Sequence, residues 1–360
     1  MKYKIMTPGP TQVRENVRLA RALECTNPDI DPDFVEYYKD TCLLISELLH
    51  TKNEAFILDG EGILGLEAAC ASMTEPGDRV LVLDNGIYGK GFADFVKMYG
   101  GEPVLFTSPY DEAITEDSLR EFLEKDSSFK YATLVHCDTP TGMLNPVEEL
   151  SIALHDYGIM TVVDSVSAMF GEALDVDAGK IDIVCGGSQK AVSAPPGLSF
   201  VTVSDDAMKA MENRKYPIAS FYANILVFKN YYKEKWFPYT MPISDIYGLR
   251  QALENIKADS DMLDRHAKLA EHVREELVKM GVRLFGKNGY SNTVTVFYVP
   301  DGFTSEEFLS RMLDEYGIMI AGCFDIYAGK LLRIGHMGEN ANEADVELTL
   351  SAVRAIINSK

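Results

Sequence analysis

Positive charge is what this sequence has least of: 34 Lys and Arg residues stand against 55 Asp and Glu, a formal net charge of −21. Such a balance makes nucleic acid and anionic membrane surfaces poor partners. No apolar run is long enough to span a bilayer, and the opening Met1-Lys-Tyr-Lys-Ile-Met-Thr-Pro8 lacks an apolar signal core, so a cytoplasmic protein is expected. The six cysteines (Cys25, Cys42, Cys70, Cys137, Cys185, Cys323) are scattered without a CxxC pair. That argues against a zinc knuckle and for reduced, mostly buried thiols. The six histidines show no ligand spacing either, so no metal is expected. Internal repeats, low-complexity tracts and Ser-rich linkers are also missing. What remains is a chain of 360 residues, long enough to bury a large core and to form one large and one small domain.

Two stretches carry chemistry. In Asp182-Ile-Val-Cys-Gly-Gly-Ser-Gln-Lys190-Ala-Val-Ser-Ala-Pro-Pro-Gly197 an apolar run ends in two glycines, then a polar triplet closing on Lys190, then a proline pair that forbids helix continuation. This sets one amine in a tight turn at a strand end. A Schiff base with a carbonyl cofactor requires such a held, locally desolvated amine with a lowered pKa; a surface loop lysine would show the same local pattern. Upstream, Tyr157-Gly-Ile-Met-Thr-Val-Val-Asp164-Ser165 reads as a buried parallel strand ending in a carboxylate. Asp164 therefore sits at a carboxyl end, the edge where open α/β sheets bind ligands, about one strand and one connection before Lys190. A pyridoxal phosphate site needs this pair, the lysine to hold the aldehyde and the carboxylate to keep the pyridine nitrogen protonated. A helix cap or loop residue is the plainer reading of a lone strand-end Asp.

Asp164-Ser-Val-Ser-Ala168, Gly187-Ser-Gln-Lys-Ala-Val-Ser-Ala-Pro-Pro-Gly197 and Arg333-Ile-Gly-His-Met-Gly338 together resemble the class V aminotransferases of fold type I, in particular the alanine/serine–glyoxylate or pyruvate branch. The opening Met6-Thr-Pro-Gly-Pro-Thr11, the Gly60-Glu-Gly62 turn, Asn85-Gly-Ile-Tyr-Gly89 and Tyr239-Thr-Met-Pro242 extend the resemblance over nearly the whole chain. It implies an α/β, fold-type I PLP-dependent transferase: a large domain with a mostly parallel seven-stranded sheet plus a small α+β C-terminal domain. The expected division is an N-terminal segment 1–15 at the active-site mouth, a PLP-binding domain 16–245 and a C-terminal domain 246–360. A homodimer with shared active sites is implied as well.

The resemblance also assigns residues. Gly62 and Ile63 would give backbone N–H groups to the phosphate of pyridoxal 5'-phosphate, with Gln189 reaching the same group. Tyr88 would stack on one pyridine face and Val166 pack on the other, while Thr139 would hydrogen-bond near the ring hydroxyl or the phosphate. Thr240 would cross the dimer interface to the neighbouring subunit's phosphate. Pro8 and Gly9 would lie on the substrate side, and Arg333 would take the substrate α-carboxylate. Two positions depart from the family. Glu61 stands where Ser or Thr is more common, and a carboxylate there repels phosphate unless it points away; Phe237 aligns with a tyrosine that often shares the phosphate.

Read from the residues alone, each position has a plainer role beside it. A Gly-x-Gly turn before a helix offers free N–H groups to an anion, yet most such turns are only turns. Tyr88 could be a core or capping tyrosine, and Thr139 ordinary turn chemistry. Arg333, in the otherwise apolar Leu331-Leu-Arg-Ile-Gly-His336, needs an anion, which could be a substrate carboxylate or a structural partner. His136 reads as a core histidine. The aromatic run from Phe221 to Thr240 reads as core and dimer interface.

The rest of the pattern alternates strand and helix, which predicts a doubly wound sheet. Helices are expected at 34–49, 63–73, 88–99, 115–123 and 146–157, strands at 55–58, 79–83, 102–106 and 131–136, and an antiparallel strand at 198–203. A long interrupted helix over 243–280 precedes small-domain strands at 282–285, 293–298, 318–321 and 331–334 and helices at 305–316 and 341–357. The implied reaction is a ping-pong transamination, with Lys190 moving the proton and Asp164 holding the pyridinium charge. A 2-aminoethylphosphonate:pyruvate transaminase is an alternative, suggested by Thr141-Gly-Met-Leu-Asn-Pro146, although that branch tends to have Asn where this chain has Gln189. A cysteine desulfurase or lyase on the same fold would need a mobile nucleophilic thiol, for which Cys323 is the candidate.

Overall fold

The structure, a computed structural model, describes residues 3–359; Met1 and Lys2 of the expected N-terminal segment, and Lys360, lie outside the described residues. Seven short apolar runs build the central sheet: β1 (Glu54–Asp59), β2 (Arg79–Asp84), β3 (Glu102–Thr107), β4 (Tyr131–Val135), β5 (Met160–Asp164), β6 (Ile183–Gly187) and β7 (Leu198–Val203). Their order across the sheet is β1-β7-β6-β5-β4-β2-β3, and β7 alone runs antiparallel to its neighbours. Residues of β4 to β7 are buried almost throughout, as strands covered by helices on both faces must be.

Several of the covering helices begin where the sequence supplies a side-chain cap. Helix α1 (Pro32–Leu48) starts with Pro at its first position behind Asp31, whose carboxylate accepts the Asp33 N–H. Helix α2 (Gly62–Met73) is capped by Glu61, which accepts the Ile63 N–H. Helix α3 (Ile87–Met98) follows β2 and buries Phe92, Ala93 and Val96 against the sheet. With six of the seven strands parallel, the loops after β1, β2, β4, β5 and β6 all emerge at one edge, which fixes where a site can be.

The 243–280 stretch is two helices, Ile243–Lys257 and Met262–Lys279, separated where Asp259 pairs with Arg265. Beyond them a second core gathers Phe297, Phe308, Met312, Leu332 and Val353, and it also takes in Met6 from the N-terminal segment. Two strand expectations here are corrected. The 282–285 segment is not a strand: it contributes one bridge, Leu284 to Phe297, before Gly286 turns the chain away and the Lys287 N–H bonds to Asp111. The 318–321 segment is two pieces with different partners. Ile318–Met319 pairs in parallel with Lys4–Ile5, whereas Ala321–Gly322 pairs antiparallel with Leu331–Gly335. That first pairing ties the N-terminal segment to the second core and aims residues 7–11 at the sheet edge.

Candidate active site

The loops from β1, β2, β4, β5 and β6 close around a cavity of about 310 Å³, whose walls include Gly9, Glu61, Tyr88, Asp164, Gln189 and Lys190. Gly62, Ile63, Thr139 and Val166 line it too. Nearly every residue that the sequence marked therefore converges on one place.

Lys190 is held by its turn. Ser188 N–H bonds to the Leu198 carbonyl, Ala194 N–H returns to the Ser188 carbonyl, and Ser193 takes a positive φ of 58° to reverse the chain. Its Nζ donates to the Pro8 carbonyl at 2.6 Å, and Thr11 clamps the backbone by donating its hydroxyl to the Lys190 carbonyl at 2.9 Å. Gly9 is needed beside it: a Cβ there would stand 2.4 Å from Lys190 Cδ. Burial, with the Arg333 charge second, lowers the amine to about 8. A neutral nucleophile is thus accessible near neutral pH.

Asp164 closes β5 with its carboxylate toward the cavity. Its Oδ1 accepts the Val166 N–H at 2.8 Å, which also sets Val166 as a wall. Burial pushes its pKa up to about 7 against the pull of that N–H and of Lys190. Such a carboxyl lacks a cationic partner close enough to hold it ionised, and a protonated ring nitrogen would be one. His136, one strand away, bonds Ser165 Oγ at 3.0 Å and is driven down to about 4 by burial, so it stays neutral and structural, as the sequence suggested.

Tyr88 enters from the start of α3. Its place depends on a residue the sequence reading passed over, Asp138, whose Oδ1 accepts the Tyr88 N–H at 2.8 Å and whose Oδ2 accepts the Thr141 hydroxyl at 2.9 Å. The signal was there: a carboxylate inside the same Pro/Gly turn as Thr139, at the binding edge. Thr139 itself hydrogen-bonds Ser167 across the cavity wall. Tyr88 also meets Phe324 edge-on with ring centres 6.3 Å apart, and the Arg333 guanidinium lies 5.5 Å from that Phe324 ring.

Arg333 stands at the rim rather than in the wall. It is 9 % exposed, sits in the strand Leu331–Gly335, and gives both Nε and Nη2 to the Gly322 carbonyl at 3.0 and 2.7 Å. Among the described residues no carboxylate pairs with it, so the charge is left for a ligand. Thr240 lies outside the cavity of its own chain, exposed and bonded to Asp29. Phe237 is core, packed on Phe34, Tyr38 and Tyr231 with ring centres 5.8, 4.9 and 5.6 Å away. Cys323 offers no mobile thiolate, since its Sγ lies 3.4 Å from the Pro140 carbonyl and burial raises its pKa.

A pyridoxal ring fits this cavity at the Lys190 and Asp164 end, where an amine, a ring-nitrogen partner and two packing faces are present together. At the α2 end the fit differs. Glu61 does not point away: Oε1 accepts the Ile63 N–H at 3.2 Å and Oε2 accepts Gln189 Nε2 at 3.0 Å, so one carboxylate holds two of the donors expected for a phosphate.

Comparison with known proteins points the same way. The model of the family "Aminotransferase class-V" matches residues 33–332. The chain is 32% identical to a pyridoxamine–pyruvate transaminase of Mesorhizobium japonicum, over 92% of this chain and 86% of that one. It is 29% identical to an alanine–glyoxylate aminotransferase of Callithrix jacchus, over 97% and 86%. Among solved structures, a ureidoglycine–glyoxylate aminotransferase from Bacillus subtilis superposes with a TM-score of 0.95 at 28% identity, covering 99% of this chain and 93% of that one.

Proposed function

The chain belongs to the class V aminotransferases, and from that premise we propose that it transfers an amino group from an amino acid or similar amine to a small 2-oxo acid such as pyruvate or glyoxylate, in two ping-pong halves. Enzymes of this family and fold use pyridoxal 5'-phosphate, which when bound supplies an electron sink for the carbanion at the substrate carbon. One observation carries the reading: Lys190 Nζ and the Asp164 carboxylate, from adjacent strands of one sheet, open on the same cavity while Arg333 waits at its rim without an acidic partner.

Each residue then has a task. Lys190 would hold the cofactor carbonyl, and its amine is placed to carry a proton to and from the substrate carbon; an amine lowered to about 8 suits both roles. Asp164 would keep the ring nitrogen protonated, with Tyr88 and Val166 as the walls that would pack on the ring and Thr139 as a hydroxyl that would bond to it. Gly62 and Ile63, with Gln189, surround the far end. Arg333 reads the substrate carboxylate through its two-nitrogen fork, swinging from the Gly322 carbonyl to do so. Pro8 and Gly9 close the substrate side, the Pro8 carbonyl parking the Lys190 amine.

We also assign a homodimer. Thr240, Phe221, Tyr222 and Trp236 stand exposed on one chain, and Thr240 gains a role at the cofactor only if a second copy brings it there. The proposed division remains 1–15, 16–245 and 246–360, with a cytoplasmic location and small-molecule donors and acceptors only. Desulfurization is disfavoured by the held Cys323 thiol. The test is to mix cofactor-loaded protein with alanine, serine, 2-aminoethylphosphonate or pyridoxamine and follow the visible absorbance of the lysine-bound cofactor, wild type beside Lys190→Ala. Loss of the band with one donor, and its return with pyruvate or glyoxylate, is the expected result. A wild type that forms no lysine-dependent band with any form of the cofactor would end the assignment.

A further inference from the structure

The start of α2 already carries a carboxylate of its own, which occupies the Ile63 N–H. A helix N-terminus attracts anions because its first N–H groups lack partners and the helix dipole is positive there. Here Glu61 caps that end, accepting the Ile63 N–H at 3.2 Å and the Gln189 side-chain N–H at 3.0 Å. Lys190 is the sole cation among the residues lining the cavity, and its amine is turned to the Pro8 carbonyl. Nothing on this wall compensates a dianion. A phosphate monoester carries about −1.5 to −2 charges at pH 7, and it would have to displace Glu61 or lie against it.

A second feature names what the wall prefers instead. Gln189 is 7 % exposed, lines the cavity, and its Oε1 is buried without a hydrogen-bond partner. The amide cannot be turned over to relieve this, because its oxygen would then face the Glu61 carboxylate. One acceptor, Gln189 Oε1, therefore stands beside the Glu61 carboxylate without a donor. A phosphate brings acceptors only; a hydroxyl brings the missing hydrogen.

Resting on the aminotransferase reading, we propose that this chain selects the unphosphorylated vitamer, pyridoxal or pyridoxamine, over its phosphate ester. The 5'-hydroxymethyl group donates to the Glu61–Gln189 pair while Lys190, Asp164 and Tyr88 hold the ring. Without a phosphate anchor the vitamer enters and leaves as a dissociable ligand.

The experiment titrates the full-length protein, freed of cofactor, with pyridoxal and separately with pyridoxal 5'-phosphate, reading the visible band and confirming each Kd by calorimetry. Wild type is expected to bind pyridoxal at least about tenfold more tightly than the ester. Glu61→Ser keeps a good helix cap and so keeps the fold; it is expected to reverse the preference, and Glu61→Gln to reduce it. Lowering the pH through about 6, where the ester loses its second charge, should narrow the wild-type gap. Tighter binding of the ester by wild type, or a ratio unmoved in Glu61→Ser, overturns the proposal. Either outcome leaves the transferase reading standing as long as a Lys190-dependent band forms; absence of a band with both vitamers defeats the reading itself.

Discussion

Where β5 and β6 end, the cavity presents an acid and a base that are both buried, each displaced toward neutrality and each lacking a charged partner of its own. Where β1 ends, the polar groups have found one another: a carboxylate caps the helix, and an amide bonds the carboxylate. The first end is pre-organised around a ligand that must complete it, and removing a group there removes chemistry. The second is nearly complete without a ligand, and changing a group there changes which ligand is accepted. Reactivity thus resides at the ends of β5 and β6, and selectivity where the Glu61 cap after β1 meets Gln189 from the β6 turn.

Breaking the reactive end should have the largest effects. Lys190→Ala deletes both the covalent attachment and the proton carrier, and a loss of kcat on the order of 10⁴-fold or more is expected from single-turnover kinetics. An added small amine should restore part of the rate if the proton transfer is what was lost. Asp164→Asn keeps the shape but cannot hold the ring nitrogen protonated, so kcat should fall by roughly 10² to 10³-fold.

The same substitution has a signature in ligand-free protein. Asp164 has a folded pKa near 7, raised above its unfolded value by burial. Its neutral form therefore contributes stability that is fully present below the unfolded carboxylate pKa and is lost as pH rises through about 7. Lys190 has the opposite sense, since an amine lowered to about 8 lets the folded state gain stability as pH rises from there toward the unfolded lysine value. Denaturant melts of wild type should show the acid-side decline between about pH 4 and 7, and Asp164→Asn should flatten it. A wild-type curve without that decline would contradict the burial argument.

Arg333→Lys sharpens the comparison from the rim. The lysine keeps a charge but loses the two-nitrogen fork, so kcat/KM for a 2-oxo acid should drop by about 10 to 100-fold, mostly through KM. Amines without a carboxylate should react as before in the half-reaction. Equal losses for both classes would mean that Arg333 supports the loop through the Gly322 carbonyl and does not read substrate.

Much of this was legible in the sequence because strand ends advertise themselves. Apolar runs closing on Asp164 or on Gly-Gly-Ser-Gln-Lys190 fix both burial and edge, and the sheet then places them together. Alternation gave most of the parallel strands and the antiparallel Leu198–Val203 strand within a residue or so at either end, while the strand closing on Asp164 starts at Met160 and not at Tyr157, which ends the preceding helix. Partner choice was hidden. The strand near Ile318 divides because Lys4–Ile5 comes from the far end of the chain to claim half of it, and no local pattern encodes that. Asp138 was missed for a related reason: its importance lies in accepting the N–H of Tyr88 from another loop. Glu61 was noticed as a departure, but whether its carboxylate left the site depended on Gln189, which only the folded β6 turn brings within reach.

Phe237 offers the gentlest way to separate the two ends. Alignment with a phosphate-binding tyrosine would predict that Phe237→Tyr tightens the phosphate ester. The structure predicts otherwise, because the ring is 2 % exposed and stacked on Tyr231 with edges on Phe34 and Tyr38. A hydroxyl added there meets no water and must find a partner in an aromatic core, at a cost of about 1 to 3 kcal/mol. The expected outcome is a lower melting temperature with vitamer affinities unchanged. A gain in affinity for the ester alone would place Phe237 at the phosphate end after all, and would shift part of the selectivity away from Glu61.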